Sequence, residues 1–206
     1  MKKNTKTRCA QNNRRGEILV AAAALFRDKG FGASTIRDIT NTVGIASGST
    51  FCHFKSKREI LDAIAIEGMR QVLLGAEALE RRRMTPEERL RTLMRQHVGF
   101  LHDAPTRDFV TVLLYESREL SDAARAEVMV LMERYETIWK NCLRRLAPAA
   151  KGGIKESLLH RLLFGALNWT VHWYSPGADL PPERLAEELA ELVLPGMKDG
   201  SGKALS

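Results

Sequence analysis

Four small polar residues follow one another shortly after Gly44: Ser47, Gly48, Ser49 and Thr50. Apolar spacing predicts a short helix that starts near Ser34 or Thr35 and ends at Gly44. Ser47 can cap a second short helix that extends to about Phe54. Two short helices joined by a tight turn form a helix-turn-helix, whose second helix enters the DNA major groove. Small residues at its start would let the backbone approach base edges closely, while their hydroxyl groups bond to bases or phosphates.

Basic residues lie on both sides of this segment. Lys55, Lys57 and Arg58 follow it, and Arg8, Arg14 and Arg15 lie at or before the start of the first helix. Cationic side chains and helix N-termini can hold phosphate together, and the first group of arginines could reach the DNA backbone or minor groove as an arm. The alternative is a helical hairpin in an ordinary bundle, with basic side chains that are merely solvated.

Other chemistry is poorly supported. His53 beside Cys52, and His97 with His102, do not form paired metal ligands on one helix face. The segment from Gly44 to Gly48 lacks the Gly-x-Ser-x-Gly spacing of a nucleophile elbow. We therefore expect no enzyme, no metal and no cofactor.

The charge distribution agrees with a DNA-binding segment. The chain has 206 residues, of which 44% are hydrophobic and 28% charged, as in a soluble globular protein. Its net charge is +7, but residues 1–59 hold 12 Lys and Arg against 4 Asp and Glu, while the rest holds 20 against 21. A basic module attached to a neutral one could bind nucleic acid or an anionic membrane surface. Three distant cysteines suit a reducing cytoplasm better than a disulfide framework.

Helical periodicity runs through most of the chain and predicts an all-α fold. A helix from about Asn13 to Lys29 precedes the two short ones, and capping boxes at Ser56 and Thr85 open two later helices. The remaining helices are predicted at 109–115 (a segment that could also be a strand), 121–146, 154–174 and 182–194. We expect a DNA-binding domain over residues 1–60, a helical sensing and dimerisation domain over 61–197, and a tail over 198–206.

The N-terminal segment closely resembles the DNA-binding domain of TetR-family transcriptional regulators over about residues 14–63. Matching positions agree in order and spacing: Arg15, Ile18, Ala23, Ala24, Phe26, Gly30, Phe31, Ser34, Thr35, Ile36, Asp38, Ile39, Gly44, Ile45, Ala46, Gly48, Phe51, His53, Phe54, Lys57, Ile60 and Leu61. The resemblance implies an all-helical homodimer with two DNA-binding heads and a ligand-sensing body. It also places Thr35, Phe51, His53 and Lys57 at the DNA or in support of the recognition helix.

One position departs from the family pattern. The family usually has tyrosine at Phe51, and that hydroxyl commonly bonds a phosphate, which phenylalanine cannot do. We expect altered contacts there without loss of DNA binding.

The C-terminal half resembles family members that regulate fatty-acid, steroid or aromatic-acid breakdown in response to acyl-CoA thioesters. The similarity rests on the segments 168–177, 180–185 and 194–196. This resemblance makes double-stranded operator DNA and an acyl-CoA-like effector the expected partners. Six residues could contact that effector: Phe109, Trp139, Arg161, Asn168, Trp169 and Trp173. Aromatic residues at helical spacing are also common in plain cores.

In the resemblance, the last two helices pair with those of a partner subunit. An apolar face on the first of them could fill this role: Leu158, Leu159, Leu162, Leu163, Ala166, Leu167 and Val171. The same face could instead lie in an intramolecular core. The sequence thus predicts a cytoplasmic, ligand-responsive repressor. The alternatives are a ligand-independent architectural DNA-binding protein and a module that binds membranes or acidic partners.

Overall fold

The computed structural model describes residues 3–46, 52–146, 156–175 and 180–198, and its regular elements are helical throughout those ranges. There are eight α-helices in these ranges: α1 (Lys3–Lys29), α2 (Ile36–Val43), α3 (Lys57–Glu80), α4 (Pro86–His102), α5 (Thr106–Glu116), α6 (Asp122–Leu146), α7 (Glu156–Trp173) and α8 (Pro182–Lys198). A short 3-10 turn, Ser117–Glu119, follows α5. The predicted all-α fold is confirmed. None of these helices combines the length and apolar character that crossing a membrane would require.

Local signals define several helix ends as predicted. Gly30 and Gly44 adopt left-handed backbone conformations, with φ of 80° and 70°, at the ends of α1 and α2. Thr85 and Glu88 form a reciprocal capping box at the start of α4, with Pro86 in the first turn. Ser56 Oγ accepts the backbone N–H of Glu59 at 3.1 Å before α3.

Two helix ends differ from the predictions. α1 begins at Lys3, well before the predicted start at Asn13. No Pro or Gly lies in the residues before Asn13, so the sequence contains no signal that would end the helix there. α8 continues past Pro195 to Lys198 and does not stop at Leu194. A proline in the last turn lacks one N–H donor but still adopts helical φ, so the backbone can continue.

The first compact unit comprises Met1–Met69 and Pro105–Met129. α1 and α2 pack together in it, and α5 packs on α1. Its core is formed by apolar side chains from these helices and from the start of α3: Ile18, Leu19, Ala22, Phe26, Ile39, Ile60, Leu61 and Ile64. α3 and α5 approach closely at Gly68, where an added Cβ would lie 3.0 Å from Phe109 Cβ. This unit thus takes in α5 as well, and the domain boundary at residue 60 stays a prediction.

The second compact unit comprises Arg70–Ala104 and Val130–Ser206. α4 packs against α8 and α7, and its buried stripe consists of Leu90, Leu93, Met94, His97, Val98 and Leu101. The guanidinium of Arg91 joins α4 to α8 through Glu187 at 2.9 Å and Glu191 at 2.8 Å. α3 contributes residues to both units, since its chain passes from one to the other after Met69.

Candidate functional site

The start of α2 is held by a hydrogen-bonded pair. Thr35 Oγ1 accepts the backbone N–H of Asp38 at 3.1 Å and donates to Asp38 Oδ2 at 2.7 Å. Asp38 Oδ2 also accepts the backbone N–H of Thr35 at 2.9 Å. These bonds from Thr35 lower the pKa of Asp38. Thr35 therefore sets where α2 begins, which fits a supporting role in a helix-turn-helix.

Lys57 is half-buried, and its ammonium binds the loop between α1 and α2. Its Nζ donates to the carbonyl of Phe31 at 2.6 Å and to that of Ser34 at 2.7 Å. It also lies 4.2 Å from the centre of the Phe31 ring. We predicted a phosphate contact or a supporting role for this residue, and these hydrogen bonds fit the supporting role.

Three other predicted DNA contacts, Arg14, Arg15 and His53, lie at or near the surface of the head. Arg14 pairs with Glu17 at 2.7 Å, and the Arg15 guanidinium lies 5.0 Å from the centre of the buried Phe54 ring. Both arginines are inside α1, so the predicted arm is helical at these positions. His53 is half-buried in a turn. The predicted contacts Ser47, Gly48, Ser49, Thr50 and Phe51 lie outside the described residues.

Two acidic residues of α5 bind the far end of α1 and the loop after it. The buried carboxylate of Asp108 pairs with Arg27, and Glu116 Oε1 accepts the backbone N–H of Phe31 at 2.9 Å. On α3, Asp62 Oδ1 accepts the backbone N–H of Ser121 at 3.0 Å. These contacts tie α5 and its flanks to α1, to the loop before α2 and to α3.

In the second unit, a buried histidine links three helices. On α4, His97 Nδ1 lies 2.9 Å from the Tyr135 hydroxyl oxygen, and His97 Nε2 lies 2.9 Å from Asn168 Oδ1. Because Asn168 Oδ1 can only accept, His97 donates through Nε2, and Nδ1 accepts the Tyr135 hydroxyl proton. Burial lowers the pKa of His97 to about 4, so the imidazole is neutral at physiological pH. Burial also raises the pKa of Tyr135.

Aromatic rings surround this histidine, and a polar atom of one of these rings lacks a partner. Phe164 lies 4.9 Å from Trp139 and 4.2 Å from His160, measured between ring centroids. A side-chain hydrogen bond from Trp139 lowers the pKa of Tyr135 against the larger effect of burial, whereas the buried His160 Nε2 has no hydrogen-bond partner among the described residues. Buried polar groups are nearly always hydrogen-bonded in native proteins. The unpartnered His160 Nε2 therefore marks a position where a ligand or ordered water could bind.

The six predicted effector contacts do not converge at one place. Trp139 and Asn168 belong to the buried cluster around His97. Phe109 is buried against Gly68 in the first unit. Trp169 and Trp173 are 62% and 57% exposed on the surface of α7 and do not join the cluster. Arg161 is exposed and lies at the edge of a cleft beside His160.

α7 has two apolar faces, and only one of them lies in an intramolecular core. Leu163 and Leu167 are buried in the unit, whereas Leu158 and Leu162 are 51% and 55% exposed. The exposed leucines share their side of the helix with Trp169 and Trp173, in line with the 3.6-residue period. An apolar stripe of this kind on a helix surface indicates an interface.

Sequence reasoning did not assign His97, Tyr135 or His160 to a candidate site. One signal for His97 was present, because it occupies a core position in the apolar stripe of α4, where a polar ring needs bonded partners. Tyr135 and His160 have no such local signal. No group of three or more His, Cys, Asp or Glu side chains in the described ranges is placed to hold a metal ion.

Comparison with known proteins decides the family. The family described as "Tetracyclin repressor-like, C-terminal domain" matches residues 83–197, which is more than half of the chain, and "Bacterial regulatory proteins, tetR family" matches residues 18–64. This chain belongs to the TetR family. TetR-family regulators bind operator DNA as homodimers, so the chain is a DNA-binding transcriptional regulator.

Relatives of this TetR-family chain are similar over nearly its whole length. The transcriptional repressor KstR2 of Mycolicibacterium smegmatis is 26% identical over 197 residues, covering 92% of this chain and 93% of that protein. The superantigen PfiT is 38% identical with a TM-score of 0.70, covering 86% of this chain and 94% of that chain. AibR in complex with isovaleryl coenzyme A and operator DNA shares the fold, with a TM-score of 0.79 at 21% identity over 88% of this chain and 98% of that one.

Proposed function

We propose that this TetR-family regulator is a repressor that leaves a palindromic operator when a small amphipathic ligand binds its second compact unit. The observation that carries the ligand part is the buried aromatic cluster, in which His160 Nε2 has no partner among the described residues. A purely structural core would satisfy this atom, because an unpaired buried polar group costs about 1–3 kcal/mol. A ligand with a hydrogen-bonding group on an apolar body would relieve that cost.

An acyl-CoA thioester is a suitable effector class. The coenzyme A complex of AibR shows such a ligand on the same fold, and KstR2 is a repressor related over most of the chain. The effector contacts that we propose are Trp139, Asn168 and Arg161, together with His160. Trp169 and Trp173 fit better in a subunit interface, since they are exposed beside Leu158 and Leu162.

The head supports DNA binding through its basic surface and its capped α2. We propose that Arg14 and Arg15 approach phosphates, that Ser47, Gly48, Ser49, Thr50, Phe51 and His53 contact or support contact with the major groove, and that Thr35 and Lys57 position this segment. The two heads of a homodimer would bind two half-sites that lie about one turn of the DNA helix apart, or somewhat more. We propose that the protein acts in the cytoplasm, where its operator DNA would lie.

Release would occur by a shift between two conformations of the dimer. A ligand can move that equilibrium only by its difference in affinity for the two states. α3 begins in the first unit and ends in the second, so it is the element that we propose to couple ligand and DNA.

Capture of sheared genomic DNA by the purified protein, followed by sequencing, tests this function. We expect one enriched palindrome, and we expect an acyl-CoA to release it from the protein. Enrichment of a palindrome that no ligand releases would favour the ligand-independent architectural alternative. Capture without sequence preference would show that the basic head holds phosphate alone.

A further inference from the structure

A cleft of about 280 Å³ opens between α6 and α7 within the second compact unit. Six side chains line it: Glu136, Lys140, Ser157, His160, Arg161 and Phe164. Two of the six, Lys140 and Arg161, are cations, and one, Glu136, is an anion. The cleft therefore joins a cationic rim to an aromatic wall.

His160 is the polar group built into this wall. Its side chain is 3% exposed, yet its buried Nε2 has no hydrogen-bond partner among the described residues. Burial lowers the pKa of His160, and the nearby charges of Lys140 and Arg161 lower it further, while Glu136 raises it. The imidazole is therefore neutral at pH 7 and can place an N–H at Nε2.

The aromatic wall continues from the cleft into the core. Phe164 contacts both His160 and Trp139, with ring centroids 4.2 Å and 4.9 Å apart. Trp139 is fully buried, so an apolar group that enters past Phe164 would meet its indole ring.

The cleft offers mainly donors. Arg161 and Lys140 have no acceptor atoms, and Ser157 and neutral His160 can both donate. Lys140 Nζ is already bound to Glu136 Oε2 at 2.7 Å, whereas the described residues give Arg161 no ion pair. With two cations against one carboxylate, the rim retains a net positive charge.

We infer that this cleft binds the anionic group of an amphipathic ligand, a phosphate or carboxylate held by Arg161, Lys140 and His160, with the apolar body directed past Phe164 toward Trp139. The inference rests on the proposed function, because it names the ligand class of that effector site. The donors of Arg161, Lys140 and His160 match an acceptor-only group, and charged hydrogen bonds give such contacts most of their strength.

Isothermal titration of the full chain with three probes tests the inference: octanoyl-CoA, coenzyme A and octanoate. We expect octanoyl-CoA or octanoate to bind, and we expect Arg161→Gln and Lys140→Gln each to weaken that binding by about tenfold. Coenzyme A binding alone would identify the phosphates as the recognised group, and octanoate binding alone would identify a carboxylate. Arg81→Gln makes the same charge change at an exposed residue just after α3 and should leave affinity unchanged.

His160→Leu provides a readout that does not depend on charge. Removing an unpartnered buried nitrogen should keep or raise the unfolding temperature of the ligand-free protein while weakening probe binding. The inference would be overturned if the Arg161, Lys140 and His160 variants bound the probes as tightly as the unmodified chain does. It would also be overturned if no probe bound the unmodified chain. Operator capture is measured separately, so a protein that binds its palindrome but fails these titrations leaves the repressor function standing.

Discussion

Glu116 at the end of α5 accepts the backbone N–H of Phe31 at 2.9 Å. The Phe31 carbonyl accepts a hydrogen bond from Lys57 Nζ at 2.6 Å. Both backbone groups of Phe31 are therefore bound by charged side chains from helices outside the loop that it occupies. Charge-assisted hydrogen bonds are about twice as strong as neutral ones, so this loop between α1 and α2 is held from two sides. The position of α2 thus depends on α3 and α5 as well as on its own caps.

Replacing Glu116 with alanine should loosen the loop before α2. Phe31 is buried, so its N–H would lose its partner at a cost of about 1–2 kcal/mol. We expect Glu116→Ala to lower the free energy of unfolding by that amount and to weaken operator binding, measured by urea denaturation and fluorescence anisotropy. Glu119→Ala is the matched control, since Glu119 is exposed and its carboxylate lies 3.9 Å from the Arg58 guanidinium. Equal effects of the two changes would show that the Phe31 contact is unimportant.

Lys57→Met should separate a positioning role from a phosphate contact. The variant keeps the aliphatic stem but leaves the carbonyls of Phe31 and Ser34 without their donor, so we expect lower stability by about 1–3 kcal/mol. It should weaken operator binding while leaving the salt dependence unchanged. Lys55→Met, at an exposed neighbour, should instead reduce the slope of log affinity against log salt by about one if that lysine neutralises one phosphate. A reduced slope for Lys57→Met would show that its ammonium moves from the loop to the DNA.

His97 should make stability depend on pH. Its pKa is about 4 in the folded protein against 6.5 ordinarily, so the unfolded chain binds the proton first as pH falls. The neutral His97 therefore makes its full contribution to the free energy of unfolding above about pH 6.5. That free energy falls progressively as the pH drops from about 6.5 to about 4. The total loss is at most about 3 kcal/mol.

We expect His97→Gln to show a smaller loss of stability than the unmodified chain between pH 7 and pH 4.5, followed by urea midpoints. His160 also has a lowered pKa and contributes in the same direction, but it is present in both proteins, so its effect cancels in the difference. Identical pH profiles would mean that His97 is protonated without cost in the folded state.

Trp169→Glu should break the dimer. Trp169 is 62% exposed on the apolar stripe of α7, where a carboxylate would face the partner's apolar surface and lose its hydration. We expect a monomer in sedimentation velocity and much weaker operator binding, with the helical content of the chain unchanged. Leu74→Glu places the same charge at a leucine of α3 that is 64% exposed, away from this stripe, and should remain dimeric. A dimeric Trp169→Glu protein would assign the subunit interface to another face.

The sequence by itself determined the local features of this protein. Thr35, Gly44, Thr85 and Pro86 define helix ends because caps and left-handed turns depend on residues a few positions apart. The helical class and the basic head followed from periodicity and from the uneven charge for the same reason. α1 starts before its predicted start because the sequence has no helix-ending signal there, and α8 runs past Leu194 because Pro195 biases a helix end without enforcing it.

The tertiary structure decided which distant side chains meet. His97, Tyr135 and Asn168 lie on three helices, and their hydrogen bonds exist only because packing brings those helices together. Likewise, α7 carries apolar residues all round, and only its contacts show that Leu167 is in the core while Trp169 faces outward. Periodicity reports that a residue is apolar and on a given side of a helix. What covers that side depends on long-range packing, which is why the predicted effector contacts were only partly brought together.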